Sequence, residues 1–492
     1  MDSYQSYLDS VKEYGVVTNV HNHMVNVDGL PSVQIGELVL FESGELGYVF
    51  RVEGSLVRVL LFSQSHIRVG SKLVRTGKNV TIPTGPELKG CVMDPLGRII
   101  SPSPTFRKPS LSRGVVLEQT PLLERRVRIN KPFLTGVTIV DFMVPLGKGQ
   151  KQVIVGDRKV GKSSFFFTTV KTQVKENPTQ VIIYALIGKN KSDVKQLIEK
   201  YRSENLSQYM IFVVSTSEDS PSLISFTPTT AMVLAQYFRG TGVDSVVILD
   251  DLTTHAKYYR EIMLTGGEFP GRDSYPGDTF FVHAGLLEAS GNYIAADGKE
   301  VSITCFPVVE TIEGDLTGYI CTNIMSMTDG HIFYDSNSYF NGRRPAIEPL
   351  LSVTRVGKQA QSSLKREINH EVSVFLSEYE RSLNYSHFGA ELSQKIKDII
   401  KKGDFLYKFF DQNYSELFPE PVQYILFSLI WLNITDKIPN VDIASCKKQL
   451  TTAYADPQNK LLFENVINSK TMYELLTHTS QKEQEFLTLC KV

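Results

Sequence analysis

Several features that would assign the chain to a common class are missing from its 492 residues. No stretch approaches the roughly 20 consecutive apolar residues that a membrane-spanning helix requires. Residues 1–14, which include Asp2, Asp9 and Glu13, lack the apolar segment of a secretory leader. The 52 basic and 53 acidic residues nearly cancel, so no global charge favours nucleic acid or an anionic membrane surface. We therefore expect protein partners, no nucleic acid, and membrane association only through other proteins.

Cysteine is scarce, odd in number and never arranged as a C-x-x-C pair. The five residues are Cys91, Cys305, Cys321, Cys446 and Cys490. Their scattered spacing matches neither a zinc site nor a disulfide framework. We predict that all five are reduced thiols in a cytoplasmic protein, in the core or at the surface.

The sequence also lacks internal repeats and low-complexity tracts. Three different residue patterns follow one another along the chain. Short β-rich runs at 16–27, 38–41, 48–52 and 56–62 are separated by turn sequences such as Asp28-Gly29. This spacing predicts a small antiparallel β-barrel, and we assign residues 1–76 to it.

From residue 77 the pattern changes to strands that alternate with helices. Apolar runs predict strands at 152–155, 181–187, 210–214 and 246–249, with helices at 163–174 and 192–201. Alternation of this kind is typical of a parallel α/β sheet covered on both faces. We assign residues 77–361 to this domain and expect the irregular stretch 101–121 to be an ordered connection.

Beyond residue 362 the pattern is helical. Leu364, Ile368, Phe375 and Tyr379 recur at helical spacing, and 406–431 is rich in aromatic and aliphatic residues without alternation. The sequence therefore predicts a C-terminal α-helical domain over 362–492.

One segment of the central domain matches the phosphate-binding pattern G-x-x-x-x-G-K-[ST], directly after a predicted strand and before a predicted helix. In such a P-loop the backbone N–H groups and the helix N-terminus face the anion. Lys162 would reach the terminal phosphates, and the Ser163 hydroxyl would bind Mg²⁺. The nucleotide-binding residues predicted here are Gly156, Asp157, Arg158, Lys159, Val160, Gly161, Lys162, Ser163 and Ser164.

A second apolar strand, 246–249, ends in Asp250 and Asp251. A carboxylate at the carboxyl end of a buried strand beside a P-loop is placed to bind Mg²⁺. Asp250 therefore joins Ser163 as a predicted metal ligand. The alternative is an ordinary strand whose aspartate caps the next helix, and the P-loop upstream argues against it.

A site that hydrolyses ATP also needs a carboxylate base that orients the attacking water. Related ring ATPases carry it after the strand that follows the P-loop helix, where 184–191 contains Lys189 and no glutamate. An ammonium accepts a proton poorly unless it is strongly desolvated. We predict that the chain binds nucleotide without hydrolysing it alone, with Lys189 either near phosphate or merely a solvated loop residue.

Arg355 lies in a strand-like segment, 351–357, near the end of the central domain. An arginine at a domain edge can stabilise charge on a neighbour's transferring phosphoryl group, the role of an arginine finger. Spacing alone favours the other interpretation, a structural salt bridge.

The motifs occur in the same order as in the alpha subunit of F-type ATP synthases. The chain resembles this family over about 15–361, with weaker similarity in the helical tail. The P-loop with its Gly-Asp-Arg opening is accompanied by matching segments at 75–77, 135–141, 144–150, 250–252, 270–278, 307–311, 328–330, 344–347, 352–357 and Gln361.

The resemblance implies a barrel, a P-loop NTPase (RecA-like) domain and a helical domain, with bound ATP or ADP and Mg²⁺. It also implies an alternating ring of three such chains and three catalytic beta-type subunits around a gamma-type shaft, at the cytoplasmic face of a bacterial membrane. In that ring Arg355 would be the catalytic finger inserted into the neighbouring site, and Arg344 would lie near the nucleotide base. Family members carry glutamine where Lys189 stands.

Three departures from the family pattern limit this transfer. The first barrel strand is expected by about residue 15, so the family's N-terminal segment for the peripheral stalk is in question. The adenine element Gln-x-Gln-Tyr-Ser is replaced by 411–415, which makes Gln412 and Asn413 candidate nucleotide contacts. The P-loop carries Lys159-Val160 where Gln-Thr is common, and Ser163 replaces threonine.

These departures leave alternatives open. The ring could belong to a proton-translocating ATP synthase or to a specialised F-type-like motor that drives another mechanical task. A self-sufficient hexameric ATPase would need the missing base. A scaffold that has lost nucleotide binding is opposed by the intact Lys162, Ser163 and Asp250.

Overall fold

The computed structural model describes residues 3–63, 67–104, 106, 112–115, 123–295, 297–386, 393–437 and 441–490. Within these residues an N-terminal barrel, a central α/β sheet and a C-terminal helical region follow one another. The predicted fold class is therefore confirmed. The predicted connection 101–121 lies partly outside the described residues.

The N-terminal region is a short helix followed by a closed barrel. The barrel strands run in the order β1-β2-β5-β4-β3-β6 and close between β6 and β1. The β-rich run 16–27 is a hairpin of β1 and β2. The elements are α1 (Tyr4–Val11), β1 (Tyr14–His21), β2 (Met24–Asp28), β3 (Glu37–Phe41), β4 (Leu46–Glu53), β5 (Leu56–Leu61) and β6 (Lys72–Asn79).

The central region alternates strands with helices. Its strands are β7 (Thr81–Thr84), β8 (Val92–Met93), β9 (Ile99–Ser101), β10 (Ser112–Val115), β11 (Arg126–Val127), β12 (Pro132–Phe133), β13 (Leu146–Gly147), β14 (Val153–Gly156), β15 (Val181–Lys189), β16 (Met210–Thr216), β17 (Ser245–Asp250), β18 (Gly291–Ile294), β19 (Glu300–Glu310), β20 (Gly330–Tyr334) and β21 (Val353–Thr354). Its helices are α2 (Thr138–Met143), α3 (Lys162–Glu176), α4 (Lys191–Ser203), α5 (Pro221–Gly240), α6 (Leu252–Thr265), α7 (Thr279–Glu288), α8 (Tyr319–Met327) and α9 (Ser336–Phe340).

The main sheet has the strand order β21-β20-β14-β19-β17-β15-β16-β8-β9. The strands from β20 to β8 run parallel, so their carboxyl ends meet at one edge. The four predicted strands are β14, β15, β16 and β17, and all are confirmed. β19 was not predicted, because Ser302, Thr304 and Pro307 interrupt its apolar run. It lies between β14 and β17 and separates the P-loop strand from the acidic strand.

Both faces of the sheet are covered, as predicted. Along β15, Tyr184 packs in the hydrophobic cluster that contains the apolar side of α3. Its neighbours Ile183 and Ala185 pack in the opposite cluster with α5 and α6. Successive side chains of a strand point to opposite faces, so an uninterrupted apolar run fits a strand buried on both sides.

The C-terminal region is helical, as predicted. Leu364, Ile368 and Tyr379 lie buried on its first helix, and Asn369 of the same helix donates to the backbone carbonyl of Phe142 at 2.7 Å. The helices are α10 (Ser363–Ser386), α11 (Gln394–Phe410), α12 (Glu420–Trp431), α13 (Ile443–Ala455), α14 (Lys460–Ile467), α15 (Met472–Gln481) and α16 (Glu483–Cys490). Among the described residues, the helices are all too short or too polar to span a membrane.

The prediction of five reduced thiols is wrong for two of them. Cys446 on α13 and Cys490 on α16 form a disulfide, with their Cα atoms 4.5 Å apart. Cys91, Cys305 and Cys321 are free and buried. The pair is 44 residues apart in sequence and is brought together only by the packing of two helices, which a spacing pattern cannot report.

Candidate functional site

The P-loop connects the end of β14 to the start of α3. A Cβ added to Gly156 would lie 2.6 Å from the Cβ of Tyr334 on β20, so this position has no room for a side chain. Gly161 has a φ of 103°, in the region that favours glycine. In the described residues no side chain caps α3 at Gly161. The first N–H groups of the helix therefore remain available for an anion.

Lys162 lies at the first position of α3. Its ammonium donates to the backbone carbonyls of Gly156 and Asp157, each at 2.6 Å. Burial lowers the pKa of Lys162, and the nearby acids Glu310, Asp250 and Asp251 partly oppose this. The lysine predicted to reach phosphate thus lies inside the curve of the loop.

Asp157 anchors the loop to the rest of the domain. Its carboxylate accepts from the hydroxyls of Thr311 at 2.6 Å and Ser336 at 2.5 Å, and from the Gly314 N–H at 3.0 Å. Burial disfavours the carboxylate, but these hydrogen bonds outweigh it and lower the pKa of Asp157. Its side chain therefore holds the loop in place and does not face a ligand.

The other P-loop residues divide by exposure. Val160 is buried in the hydrophobic core, so only its backbone can contact a ligand. Arg158 pairs with Glu310 at 2.7 Å. Lys159 is exposed, with a left-handed φ of 64°. Ser163 is exposed and Ser164 half-buried on the first turn of α3, where a hydroxyl can meet a bound phosphate or cation.

The acidic end of β17 forms an ion-pair cluster with the end of β15. The Lys189 ammonium lies 2.8 Å from Asp250 Oδ1 and 2.9 Å from Asp251 Oδ2. Tyr184 donates its hydroxyl to Asp250 Oδ2 at 3.2 Å, and the Thr254 N–H donates to Asp251 Oδ1 at 2.6 Å. Every carboxylate oxygen of the two aspartates therefore has a partner.

Charge governs this cluster more than burial does. Burial alone would lower the pKa of Lys189, but Asp250 and Asp251 outweigh it and raise that pKa well above its usual range. Lys189 likewise lowers the pKa of Asp251 against the effect of burial. The interpretation of Lys189 as a merely solvated loop residue is wrong, because its side chain is 24% exposed and paired with two carboxylates.

Arg355 lies at the opposite end of the sheet from the P-loop. It follows β21, whose Thr354 pairs with Gly330 at the start of β20, whereas Gly156 pairs with Tyr334 at the end of β20. At about 3.3 Å per residue, these ends of β20 are roughly 13 Å apart. Arg355 is exposed.

The Arg355 guanidinium donates to a backbone carbonyl, that of Thr328, at 3.3 Å. Across the described ranges it pairs with no carboxylate. The salt bridge that spacing favoured is therefore not found there.

Only some of the residues predicted to contact the nucleotide base lie where they could do so. Gln412 is buried, and its amide nitrogen donates to the carbonyls of Gly136 and Glu416, both at 2.7 Å. Its oxygen accepts from the Thr138 N–H and hydroxyl, both at 3.0 Å. Because this uses the full capacity of the amide, the side chain links the helical domain to α2. Asn413 is exposed.

Arg344 is held beside this segment. Its N–H donates to Asp411 at 3.2 Å, and its guanidinium lies 3.7 Å from the centre of the Tyr339 ring. The guanidinium also donates to the Tyr339 carbonyl at 2.6 Å. Arg344 and the segment after α11 therefore form one connected surface.

Sequence reasoning missed Tyr414, which lies beside the P-loop helix. Its carbonyl accepts from the Thr168 hydroxyl at 2.8 Å, and its ring lies 5.6 Å from that of Phe167. The Lys200 ammonium is 3.7 Å from the centre of the Tyr414 ring. Tyr414 is 47% exposed and can offer an aromatic surface to a base. The signal was present, since Tyr414 stands within the element that contains Gln412 and Asn413.

Comparison with known proteins gives matches along nearly the whole chain. Residues 136–354 match the nucleotide-binding domain of the ATP synthase alpha/beta family, and 361–483 match the C-terminal domain of the ATP synthase alpha/beta chain. The ATP synthase subunit alpha of Orientia tsutsugamushi strain Boryong is 33% identical over 488 residues, covering 98% of this chain and 94% of that protein. The ATP synthase subunit alpha of Carsonella ruddii is 32% identical over 470 residues, covering 92% and 97%.

Proposed function

The chain belongs to the ATP synthase alpha/beta family as an F-type ATPase alpha subunit, and from this membership we propose that it is the non-catalytic, nucleotide-binding member of a hexameric ring. It holds ATP or ADP and alternates with three catalytic beta-type subunits around a gamma-type shaft. The ring couples ATP synthesis or hydrolysis to rotation. It associates with the cytoplasmic face of a membrane only through other subunits, and the chain binds no nucleic acid.

Nucleotide binding is supported by the P-loop. A positively polarised site for phosphates is formed by the uncapped N-terminus of α3 and the Lys162 ammonium. The loop starts at Gly156, which packs closely against Tyr334. The exposed ring of Tyr414 beside Phe167 can contact the nucleotide base at the end away from the phosphates.

The observation that carries the non-catalytic assignment is the Lys189 ion pair. The position expected to hold a carboxylate base holds an ammonium whose proton is stabilised by Asp250 and Asp251. Two further acids of the loop region are also engaged, Asp157 with hydrogen-bond donors and Glu310 with Arg158. Among the described residues, these acids are therefore not free to take a proton from a water beside the phosphates.

The position of Arg355 supports a role in a neighbouring subunit. It lies roughly 13 Å along β20 from the end that contacts the chain's own P-loop. The Arg355 guanidinium donates to the Thr328 carbonyl and its backbone N–H donates to the Asp329 carbonyl, and the exposed side chain can enter another subunit's site. There it would stabilise the negative charge that develops on the transferring phosphoryl group.

The Mg²⁺ predicted with the nucleotide fits this arrangement poorly. The Ser163 hydroxyl is exposed and can face a cation. Asp250 cannot do so as it stands, because one oxygen contacts the Lys189 ammonium and the other accepts from Tyr184.

Arg355→Ala in the assembled complex tests the finger. We expect ATP turnover to fall by about 10³-fold or more, while the ring remains intact by native mass analysis. Arg98→Ala is the matched control, since Arg98 is 73% exposed at the β8–β9 edge, away from β21. Unchanged turnover of intact Arg355→Ala rings would refute the proposal.

Native mass analysis of the complex purified on a tagged copy of this chain tests the assembly. Three copies with three glutamate-bearing beta-type subunits, stalk and membrane-ring subunits would identify a proton-translocating ATP synthase, the kind of complex named by the relatives. The same ring with unfamiliar partners would identify a specialised F-type-like motor. A ring of six identical chains would contradict the proposal.

A further inference from the structure

The end of β17 is chemically unsuited to a divalent cation. Asp250 presents Oδ1 to the Lys189 ammonium at 2.8 Å and Oδ2 to the Tyr184 hydroxyl at 3.2 Å. Asp251 presents its oxygens to Lys189 at 2.9 Å and to the Thr254 N–H at 2.6 Å. A metal bound to either carboxylate would have to displace an existing donor.

Mg²⁺ demands hard oxygen ligands at about 2.0–2.1 Å in a nearly octahedral shell. An ammonium less than 3 Å from the same carboxylate oxygen would repel the ion at close range, inside a site that water screens weakly. Elsewhere in the described part of the chain, no group of three or more His, Cys, Asp or Glu side chains could hold a metal. The acidic end of β17 therefore offers no metal site while Lys189 remains there.

Lys189 is also poorly able to leave. Its side chain is 24% exposed, and its departure would strand two buried carboxylates without a cation. The adjacent strands β15 and β17 fix the pairing, since Leu186 is directly opposite Asp250 and Lys189 follows three residues later. The ion pair is thus built into the register of the sheet.

The parallel strands β14, β19, β17 and β15 are neighbours in register, so their carboxyl ends meet at one edge of the sheet. The P-loop with Lys162 and the Lys189 ion pair therefore lie at the same edge. Lys162 and the N-terminus of α3 bring positive charge to this edge, while Lys189 neutralises one of the two aspartate charges that would otherwise repel phosphates. Without a divalent cation the phosphates of ADP or ATP keep their full negative charge, which Lys162 and the helix N-terminus can offset.

We propose that the Lys189 ammonium replaces the divalent cation at this site, so that the chain binds a metal-free nucleoside di- or triphosphate. The inference rests on the nucleotide binding proposed above and specifies its form. A fixed cation on β15 takes over the charge balance that a metal would supply at Asp250, and it leaves the site without a metal-activated water.

The test measures nucleotide and metal together on the full-length wild-type chain. The chain is loaded with ADP either in excess Mg²⁺ or in a chelator and freed of unbound ligand. ADP is then counted by chromatography and magnesium by mass spectrometry. We expect equal ADP retention in both conditions and far less than one Mg²⁺ per ADP. Retention of one Mg²⁺ per ADP, or loss of ADP in chelator, would overturn the inference and leave nucleotide binding intact.

Lys189→Gln supplies the converse measurement. We expect its affinity for ADP to depend on Mg²⁺, falling at least about tenfold in chelator, whereas wild type changes little. Lys191→Gln is the matched control, because Lys191 is two residues away in an exposed ion pair with Glu218 and should behave as wild type. If Lys189→Gln does not fold, the wild-type measurement still decides. Wild type that retains no ADP in either condition would overturn both the inference and the proposed nucleotide binding.

Discussion

Replacing Lys189 with alanine removes the only side-chain cation within ion-pairing distance of Asp250 and Asp251 among the described residues. The two carboxylates are nearly buried, with side chains 12% and 2% exposed. Removing one partner of a buried ion pair typically costs 3–5 kcal/mol, because the remaining charge loses its compensation. Since Lys189 is itself partly exposed, we expect the lower end, about 3 kcal/mol.

The loss should depend on pH in a defined direction. Although burial opposes it, Lys189 lowers the pKa of Asp251 in the folded chain. A lowered carboxylate pKa contributes stability above the usual value of about 4, which is lost as pH falls through the folded-state pKa. Without Lys189, burial would raise the carboxylate pKa, and protonation would relieve part of the strain. The difference between wild type and variant should therefore be larger at pH 7.5 than at pH 5.

Scanning calorimetry of the purified chain at both pH values measures the effect. A loss of about 3 kcal/mol corresponds to a drop of roughly 6 °C in the melting temperature of a domain this large. Lys191→Ala removes only an exposed ion pair with Glu218 and should melt close to wild type, because water screens such a pair. The reasoning would be refuted if Lys189→Ala melted within about 1 °C of wild type at pH 7.5, or if Lys191→Ala lost as much.

Three further outcomes are expected. Gly156→Ala places a Cβ 2.6 Å from Tyr334 Cβ and should lower the free energy of unfolding by about 1–3 kcal/mol, measured by denaturant titration. Burial lowers the pKa of Lys447 to about 7. Above that pH, Lys447 is therefore neutral in the folded chain but still protonated in the unfolded chain. The unfolding free energy should then rise by up to about 1.4 kcal/mol per pH unit between about pH 7 and 10, and calorimetry of Lys447→Met should show no such rise. Non-reducing peptide mapping should recover Cys446 and Cys490 cross-linked. Cys446→Ser removes this disulfide, which joins residues 44 positions apart, and should lower the free energy of unfolding by roughly 4 kcal/mol.

The P-loop could be predicted because its determinants are contiguous. Gly156, Gly161 and Lys162 stand at fixed positions between a strand and a helix, and the structure has that strand and helix. The apolar runs of β14, β15, β16 and β17 were equally plain, since strands buried on both faces need no alternation. The absence of a carboxylate general base could be predicted for the same reason, since its position lies in one short segment around Lys189.

Contacts across the sheet could not be predicted in this way. Lys189 and Asp251 are 62 residues apart, and they meet because β15 and β17 are neighbours in register. The saturation of Gln412 by Gly136 and Thr138 joins residues more than 270 positions apart. Nothing in the residue types at these positions states their partners.

The sequence by itself therefore determined the class of the domain, the loop that can hold phosphate and the absence of a carboxylate base at 184–191. The tertiary structure alone decided that Lys189 neutralises Asp250, that Cys446 meets Cys490 and that Arg355 lies away from its own P-loop. The physical reason is the range of the interactions. A loop between a strand and a helix is specified by local backbone geometry, whereas the charge state of a site depends on which distant strands pack side by side.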